Sequence, residues 1–368
     1  MENGINNMFN SRHYVPILKW KRAEQGALKE LEEKHKKYIT PLIQFVMPKY
    51  QPQDKLESVV AKFEKQLPEI PGRIVEIWGK APIFIDSSLL FTTQLKAKSL
   101  NTISRDGHRF GAVLIPIIHI NDELHLKKSV WSVARKTKSG LCVRLICSDF
   151  SDMPRLGDKI AELLSSSGLA ERDIDLLIDI KEIEETDGKF AKYIKLSQDI
   201  PNLLKWRTVT FASGSFPEDL SRCKLDEENL IPRVGWKNWK EQVSGNALKR
   251  KPTFADYTIQ YPIYKESLQF YHPTTSIKYT LENEWWALKG RKHKFDIYLA
   301  NANLLAKDTR FYGSNFSSGD KYISDKARHF NVYIKNKSIG GTGSTETWLR
   351  AGINHHLALV AHQVATLT

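Results

Sequence analysis

Eight apolar stretches of the sequence each contain a polar or charged residue among hydrophobic neighbours. These residues are Lys19, Gln44, Asp86, His119, Arg144, Asp179, Thr210 and Asp256. A charge in an apolar segment costs free energy unless it is paired, so we expect these groups to meet one another inside the fold. Most of them lie toward the C-terminal part of their stretch.

The residue types allow two interpretations. In the first, Lys19 and Arg144 bind an anion or a phosphodiester, and Asp86, Asp179 or Asp256 acts as a base or a metal ligand. In the second, the same charges form a structural ion-pair network. The sequence has no HxxxH, HExxH, P-loop or GxSxG motif, so no motif specifies a reaction. We therefore predict neither a bound metal nor a cofactor, and the catalytic residues stay unknown.

The order of apolar segments predicts the elements that carry these residues. Amphipathic segments with helical spacing alternate with strand-like runs at 13–20, 40–46, 82–89, 112–120, 140–149, 174–183, 207–216 and 253–261. Eight such units predict an α/β fold, a (βα)8 TIM-like barrel, and an open doubly wound α/β sheet is the alternative. In a barrel, the polar strand residues would meet near the axis at the C-terminal face, where active sites are built.

The pattern changes after the eighth strand and predicts four parts of the chain. We expect a flexible N-terminal tail, the main barrel, an insertion and a C-terminal helix that closes the barrel, over residues 1–12, 13–261, 262–342 and 343–368. Either Ser344 or Thr345 is a plausible N-cap of that helix.

The last helix, GSTETWLRAGINHHLALVAHQ, carries two adjacent histidines. His355 and His356 would point about 100° apart on a helix, which argues against a shared metal. We expect one histidine to hydrogen-bond within the fold and Trp348 to pack. Arg350 should reach toward the barrel mouth.

The predicted insertion interleaves aromatic and basic residues. They are Trp285, Trp286, Arg291, Lys292 and Lys294. Aromatic rings can stack on bases while basic side chains neutralise phosphates, so this segment is a candidate nucleic-acid site. The alternative is a strand that packs its Trp residues on the barrel while its basic residues face water.

Composition restricts the class of protein. The net charge of +13, from 55 basic and 42 acidic residues, favours nucleic acid, acidic proteins or anionic ligands as partners. No apolar stretch is long enough to span a bilayer, and the N-terminus lacks the apolar region of a signal peptide. With only three cysteines in no metal-binding spacing, we expect a cytoplasmic protein.

Four segments resemble a known family. YVPILKWKRAEQGALKEL and ITPLIQF resemble the opening of the bacterial and phage beta protein family, and FSSGDKYI and TWLRAGINHHL resemble its C-terminal signature. The resemblance extends from about residue 13 to residue 365. Positions that recur in the family correspond to Lys19, Lys21, Glu24, Asp320, Trp348, Arg350, His355 and His356. Gln44 departs from the acidic residue expected in many relatives, which would weaken a metal site at that position.

The resemblance implies a role in phage defence by abortive infection, in an arrangement like a toxin–antitoxin pair. In that arrangement the beta protein counteracts a toxic operon partner, Gop, so Gop is the expected binding partner. A phage component and nucleic acid are further candidates. The family supplies no catalytic mechanism, so no residue inherits a catalytic role. Candidate ligand- or anion-binding residues are Lys19, Lys21, Arg144, Arg350, His355 and His356. The alternative function is a barrel-type phosphodiesterase or nuclease, or a nucleic-acid-binding protein acting in phage defence.

Overall fold

A computed structural model describes residues 10–265, 274–292 and 294–367. Eight parallel strands form a closed barrel, in the order in which they follow one another in the chain. They are β1 (Tyr14–Lys19), β2 (Leu42–Gln44), β3 (Ile83–Asp86), β4 (Leu114–His119), β5 (Leu141–Ile146), β6 (Ile174–Glu182), β7 (Thr208–Gly214) and β9 (Thr253–Asp256). Pairing of β1 with both β2 and β9 closes the sheet, so the predicted barrel is confirmed and the open sheet is wrong.

Three further strands form a separate antiparallel sheet in the order β10, β11, β8. They are β8 (Leu230–Pro232), β10 (Ile277–Thr280) and β11 (Glu284–Leu288). β8 belongs to the connection between β7 and its helix, whereas β10 and β11 follow the last barrel strand. The predicted strand-like segment around Trp285 is therefore a hairpin that pairs with an earlier loop of the barrel.

Helices surround the barrel and cover this sheet. They are α1 (Arg22–Lys29), α2 (Glu33–Lys36), α3 (Leu56–Gln66), α4 (Ile70–Trp78), α5 (Thr93–Arg109), α6 (Leu124–Thr137), α7 (Met153–Ser167), α8 (Lys189–Ser197), α9 (Val234–Ser244), α10 (Asp296–Lys307), α11 (Ser318–Tyr333) and α12 (Thr345–Ala365). Short 3₁₀ turns lie at Leu67–Glu69, Cys147–Ser151, Glu171–Asp173 and Lys337–Ile339. None of the described helices has the length and hydropathy needed to cross a lipid bilayer.

Side chains alternate between the two faces of each barrel strand because the side-chain period of a strand is two residues. Val15, Ile17, Phe84 and Leu177 pack together inside the barrel. Leu18, Ile85 and other residues of opposite parity pack outward in the larger core beneath the helices. Charged residues of inner parity therefore point toward the barrel axis.

The helix α12 completes the helical layer beside α1. Ser344 caps it, because its hydroxyl accepts from the Thr347 N–H. One face of α12 meets α1 and the barrel, while β10 and α11 cover the rest. A helix enclosed on several sides can carry apolar residues around most of its circumference, as α12 does. The predicted tail falls mostly in residues 1–9, which lie outside the described residues.

Candidate functional site

Arg144 is the centre of a buried polar network at the C-terminal end of the barrel. Its Nη1 donates to Asp86 Oδ2 at 2.6 Å and its Nε donates to Asp179 Oδ2 at 2.9 Å. The Nη2 group also contacts Asp179 and lies 3.2 Å from the Tyr257 hydroxyl. The guanidinium thus meets two carboxylates and a phenol, and these partners come from β3, β6 and the residue after β9.

Further hydrogen bonds hold the two carboxylates. Gln44 Nε2 donates to Asp86 Oδ2 at 2.9 Å, and the Ser88 N–H and hydroxyl donate to the same carboxylate. The Tyr257 hydroxyl donates to Asp179 Oδ2 at 2.7 Å. Burial alone would raise the pKa of Asp179, but Lys181, Arg144 and the Tyr257 hydroxyl together hold that pKa well below its usual range. Asp179 is therefore a carboxylate fixed in its ionised form.

Lys19 lies at the edge of this network without an ion-pair partner among the described residues. The residue is only 3% exposed, and its ammonium group makes one hydrogen bond within the described ranges, to Gln260 Oε1, which is long at 3.5 Å. Gln260 in turn donates to Glu24 at 2.9 Å. Burial lowers the pKa of Lys19 to about 8, against the opposing effect of Glu24. An ammonium group is thus buried at the mouth with little compensation.

Lys181 reaches the same network from an irregular part of β6. Its Nζ donates to the Tyr257 hydroxyl at 2.8 Å and lies 3.1 Å from Asp179 Oδ2. Its backbone has a φ of 58°, and the register of β6 with β7 shifts between Asp179 and Glu182. Lys181 and Tyr257 were absent from our sequence prediction. In the segment LIDIK, Lys181 stands two residues after Asp179. This spacing places both on the same face of a strand and could have indicated that Lys181 joins the network.

Asp256 does not join the axial cluster, contrary to the sequence prediction. Ala255 and Tyr257 pack inside the barrel, whereas Phe254 packs outside, so Asp256 points outward. There it accepts from the Tyr14 hydroxyl at 2.5 Å and lies 3.0 Å from His356 Nε2. The expectation was wrong because it considered which strand carries the residue and neglected the parity along that strand.

His356 is neutral in this arrangement. Burial would raise the pKa of Asp256, but His356 and Tyr14 lower it overall, so the carboxylate is ionised and His356 Nε2 donates to it. The other ring nitrogen, Nδ1, lies 2.9 Å from the Thr280 hydroxyl, which can donate to it. Burial lowers the pKa of His356, despite the opposing effect of Asp256. One ring proton on Nε2 satisfies both contacts.

The two ring nitrogens of His355 have different partners from those of His356. Its Nε2 lies 2.8 Å from the Thr280 carbonyl oxygen, which can only accept, so this nitrogen carries a proton. Its Nδ1 lies 2.8 Å from Asp320 Oδ2. Burial would raise the pKa of Asp320, but His355 and hydrogen bonds from Ser317 and Tyr279 lower it, so the carboxylate accepts from Nδ1–H. Both ring nitrogens of His355 thus face acceptor oxygens, and the Tyr279 ring stacks on the imidazole at 4.0 Å.

Both histidines are fully buried and bonded within the fold. They connect α12 to β9, β10 and α11, so they have structural partners and do not face a ligand from solvent. Arg350 also differs from its expected position. It lies across Gly26 of α1 and pairs with Glu30 at 3.2 Å, instead of reaching the barrel mouth. The reason is that α12 runs parallel to α1, so Arg350 extends along the neighbouring helix.

The remaining strand residues have separate partners. His119 Nε2 lies 3.1 Å from Asp149 Oδ2, which also accepts from the Ile146 N–H at 2.7 Å. Thr210 is buried and pairs in register with Leu177 and Thr253. His119 is the register partner of Arg144 on β5, but no side-chain hydrogen bond joins the two among the described residues. No group of three or more His, Cys, Asp or Glu side chains within the described ranges could hold a metal ion.

The aromatic residues of the basic segment cannot stack on bases as predicted. Trp285 and Trp286 are buried, and Trp285 packs against Phe216. The basic residues of this segment, Arg291, Lys292 and Lys294, are exposed. The alternative interpretation therefore describes the segment better: the strand packs its Trp side chains and leaves its cations in water.

One buried cation had no signal in the sequence. Arg233 precedes α9, and its Nη1 donates to the Leu281 and Glu282 carbonyl oxygens and to Gln363 Oε1. Burial lowers the pKa of Arg233 to about 10, while Asp256 opposes that shift. The residue joins β8 to the turn between β10 and β11 and to α12. It stands in an ordinary IPRVGW segment, where nothing indicates burial.

Comparison with known proteins gives a family and several distant structural similarities, of which two are described. A type I 3-dehydroquinate dehydratase from Clostridium difficile is 11% identical with a TM-score of 0.40, over 69% of this chain and 88% of that one. The carboxyl transferase domain of Rhizobium etli pyruvate carboxylase is 7% identical with a TM-score of 0.38, over 99% of this chain and 49% of that one. No curated protein sequence matches the chain. The family model "Beta protein" matches residues 14–362, and the chain therefore belongs to the beta protein family.

Proposed function

We propose that this protein acts in phage defence by abortive infection, as a binding component that restrains the toxicity of an operon partner of the Gop type. Membership of the beta protein family over residues 14–362 is the observation that carries the proposal. The family resemblance indicates which partner to expect, and the closed barrel is the scaffold on which that partner would dock.

The geometry of the barrel favours binding over hydrolysis. A general base works best when its pKa lies near the working pH. Asp179 instead has a pKa held well below its usual range, and Asp86 accepts hydrogen bonds from Arg144 and Gln44. Both carboxylates are engaged by groups that stabilise the barrel. The phosphodiesterase interpretation requires one of them to leave these partners.

Co-expression tests the proposed restraint. Cells expressing Gop alone should stop growing, and cells that also express this protein should grow. Equal toxicity with and without this protein would exclude the neutralising role. Affinity purification of tagged Gop from the rescued cells then tests whether the restraint is direct, since a direct inhibitor should co-purify with it.

Conservative variants separate the binding role from the enzymatic alternative. Asp86→Asn and Lys19→Met each remove one charge from the barrel mouth. If binding is sufficient, both variants should protect cells from Gop as well as the wild-type protein, provided that circular dichroism shows them folded. Loss of protection by a folded Asp86→Asn variant would instead support catalysis.

A further inference from the structure

A buried ammonium group that forms no ion pair within the described part of the chain marks the mouth of the barrel. Within the described residues the only hydrogen bond of the Lys19 ammonium group is the 3.5 Å contact with Gln260 Oε1, while the nearby carboxylates Asp86 and Asp179 are bonded to Arg144. A buried charge normally has a partner, because the loss of hydration otherwise costs several kcal/mol. The site thus has an unmet requirement for negative charge.

Other lysines surround Lys19 and increase this requirement. The charges that most affect Lys19 are one carboxylate, Glu24, and three ammonium groups, Lys181, Lys21 and Lys278. Lys19 Nζ lies 5.7 Å from the centre of the Tyr257 ring, and Lys181 Nζ lies 4.9 Å from the same point. Lys19 Nζ lies 6.0 Å and Lys21 Nζ lies 4.8 Å from the centre of the Tyr264 ring. The two tyrosines thus bring three ammonium groups to one place.

The backbone at this place is strained. Lys181 has a φ of 58° and Thr258 a φ of 57°, conformations that residues other than glycine seldom adopt. For β-branched Thr258 the conformation is especially unfavourable. Such residues tend to occur where a fixed side-chain position serves a function. Both adjoin Tyr257, since Lys181 Nζ donates to the Tyr257 hydroxyl at 2.8 Å and Thr258 follows Tyr257 in the chain.

A groove of about 860 Å³ adjoins this cluster on the side of Lys21. Lys21, Glu24 and Gln260 line it, and Gln260 separates its interior from the Lys19 ammonium. The helix α1 begins in this groove, and its N-cap residue Lys21 makes no side-chain capping bond. Helix N-termini attract anions because their first N–H groups lack partners within the helix. Gln25 also lines the groove, and its buried Oε1 has no hydrogen-bond partner.

We propose that the barrel mouth binds a small phosphate monoester, with Lys19 as the central contact and Lys21 and Lys181 as flanking contacts. A dianionic phosphate group matches several convergent ammonium groups better than a singly charged phosphodiester does. It would take over the long Lys19–Gln260 contact and compensate the buried charge. A hydroxyl group on the organic part of the ligand would donate to Gln25 Oε1.

Isothermal titration calorimetry with inorganic phosphate and glycerol 3-phosphate tests this site. Each titration is compared with sodium chloride at the same ionic strength, to separate binding from screening. Wild-type protein should bind both phosphates, and glycerol 3-phosphate should bind more tightly. Lys19→Met should weaken binding at least tenfold, and Lys181→Met should weaken it by a smaller factor. Lys205→Met is the matched control, because it removes an exposed lysine before β7, at the opposite end of the barrel.

The outcomes are distinct. Phosphate heats no larger than those of chloride, or equal affinities of wild type and Lys19→Met, would overturn the proposal. A short single-stranded oligonucleotide is titrated in the same way as a third ligand. Tight, Lys19-dependent binding of the oligonucleotide without binding of either small phosphate would also overturn it, in favour of a nucleic-acid site. Restraint of Gop is measured separately by growth, so this site can fail while the proposed function stands.

Discussion

His355 and His356 are neighbours in the chain but have different hydrogen-bond partners. His355 faces a carbonyl oxygen and a carboxylate, which both accept, whereas His356 faces a carboxylate and a hydroxyl that can donate. The partners therefore decide which ring nitrogens are placed to donate. The same reasoning applies to Lys19. Its one hydrogen bond among the described residues is long, so keeping its ammonium group charged lowers the stability of the fold.

The two histidines should differ in a nitrogen-15 NMR spectrum at pH 7. We expect both ring nitrogens of His355 to carry protons, and only Nε2 of His356. Asp320→Asn removes the buried carboxylate that lies against His355 Nδ1 and should lower the free energy of unfolding by about 3–5 kcal/mol. A neutral His355 in the wild-type spectrum, or an Asp320→Asn protein of unchanged stability, would contradict this assignment.

Lys19 should reduce the stability of the ligand-free protein. Its pKa in the folded chain, about 8, is below the ordinary value of 10.5, so folding is disfavoured while the side chain must be charged. Replacing it with Met should raise the free energy of unfolding at pH 7 by about 1–2 kcal/mol. The wild-type protein should also gain stability between pH 8 and pH 10.5, and the variant should gain less, because only Lys278, whose pKa burial also lowers to about 8, and Lys181 still contribute.

Urea unfolding at pH 7 and pH 10 measures both effects, with Lys205→Met as the control for loss of one positive charge. A Lys19→Met protein less stable than wild type at pH 7 would show that the ammonium group contributes favourable contacts. Together with the calorimetry, a stabilised variant that no longer binds phosphate would indicate a residue retained for function at a cost in stability.

At the scale of elements, α12 is the helix that joins the barrel to the second sheet. Its close approach to β10 depends on Gly352, where a Cβ would lie 2.8 Å from the Lys278 carbonyl oxygen. Its crossing with α11 depends on Gly319, where a Cβ would lie 2.2 Å from the Ala351 carbonyl oxygen. Backbone atoms cannot yield as a flexible side chain can, so both positions require glycine.

Gly352→Ala should therefore destabilise the protein, even though alanine favours helices. We expect a loss of about 1–3 kcal/mol from the forced separation of α12 and β10. Gly157→Ala in α7 is the matched control, because its nearest neighbour is the Pro201 side chain at 3.7 Å. It should gain about 0.5–1 kcal/mol from helix propensity. Urea midpoints that move in the same direction for both variants would refute the packing argument.

At the scale of the whole molecule, buried neutral and ionised groups make stability depend on pH. Burial lowers the pKa of His13 to about 4, and the pKa values of Asp179, Asp256 and Asp320 are lowered as well. A group whose folded pKa is depressed contributes stability above its unfolded pKa and loses it as the pH falls. All these groups therefore act in the same direction, and acid should unfold the protein.

The first part of this acid loss should come from the histidines. Between pH 6.5 and pH 4, His13 alone should remove about 3 kcal/mol from the free energy of unfolding, and the carboxylates act only at lower pH. His13→Gln can keep the hydrogen bond to Thr40 but cannot become protonated, so its stability should fall less steeply. Urea unfolding at half-unit steps from pH 7 to pH 4 compares the two slopes. Parallel slopes would show that His13 does not contribute.

The sequence predicted the barrel because its apolar segments recur in a simple strand–helix order. It also predicted that buried charges would meet, and Asp86, Arg144 and Asp179 do. It could not place Asp256 or Arg350, whose positions depend on strand parity and on the direction of a neighbouring helix. Aromatic residues next to lysines could not by themselves distinguish a core strand from a binding surface.

Because Asp256 points outward and Tyr257 points inward, the protein should be sensitive to insertion or deletion of single residues at this strand. Deletion or insertion of one residue within β9 would exchange these two environments. The carboxylate would then enter the interior near Arg144, and the phenol would meet His356 outside the barrel. Such single-codon length changes should be tolerated far less well at β9 than point substitutions, because one event would disrupt both polar networks at once.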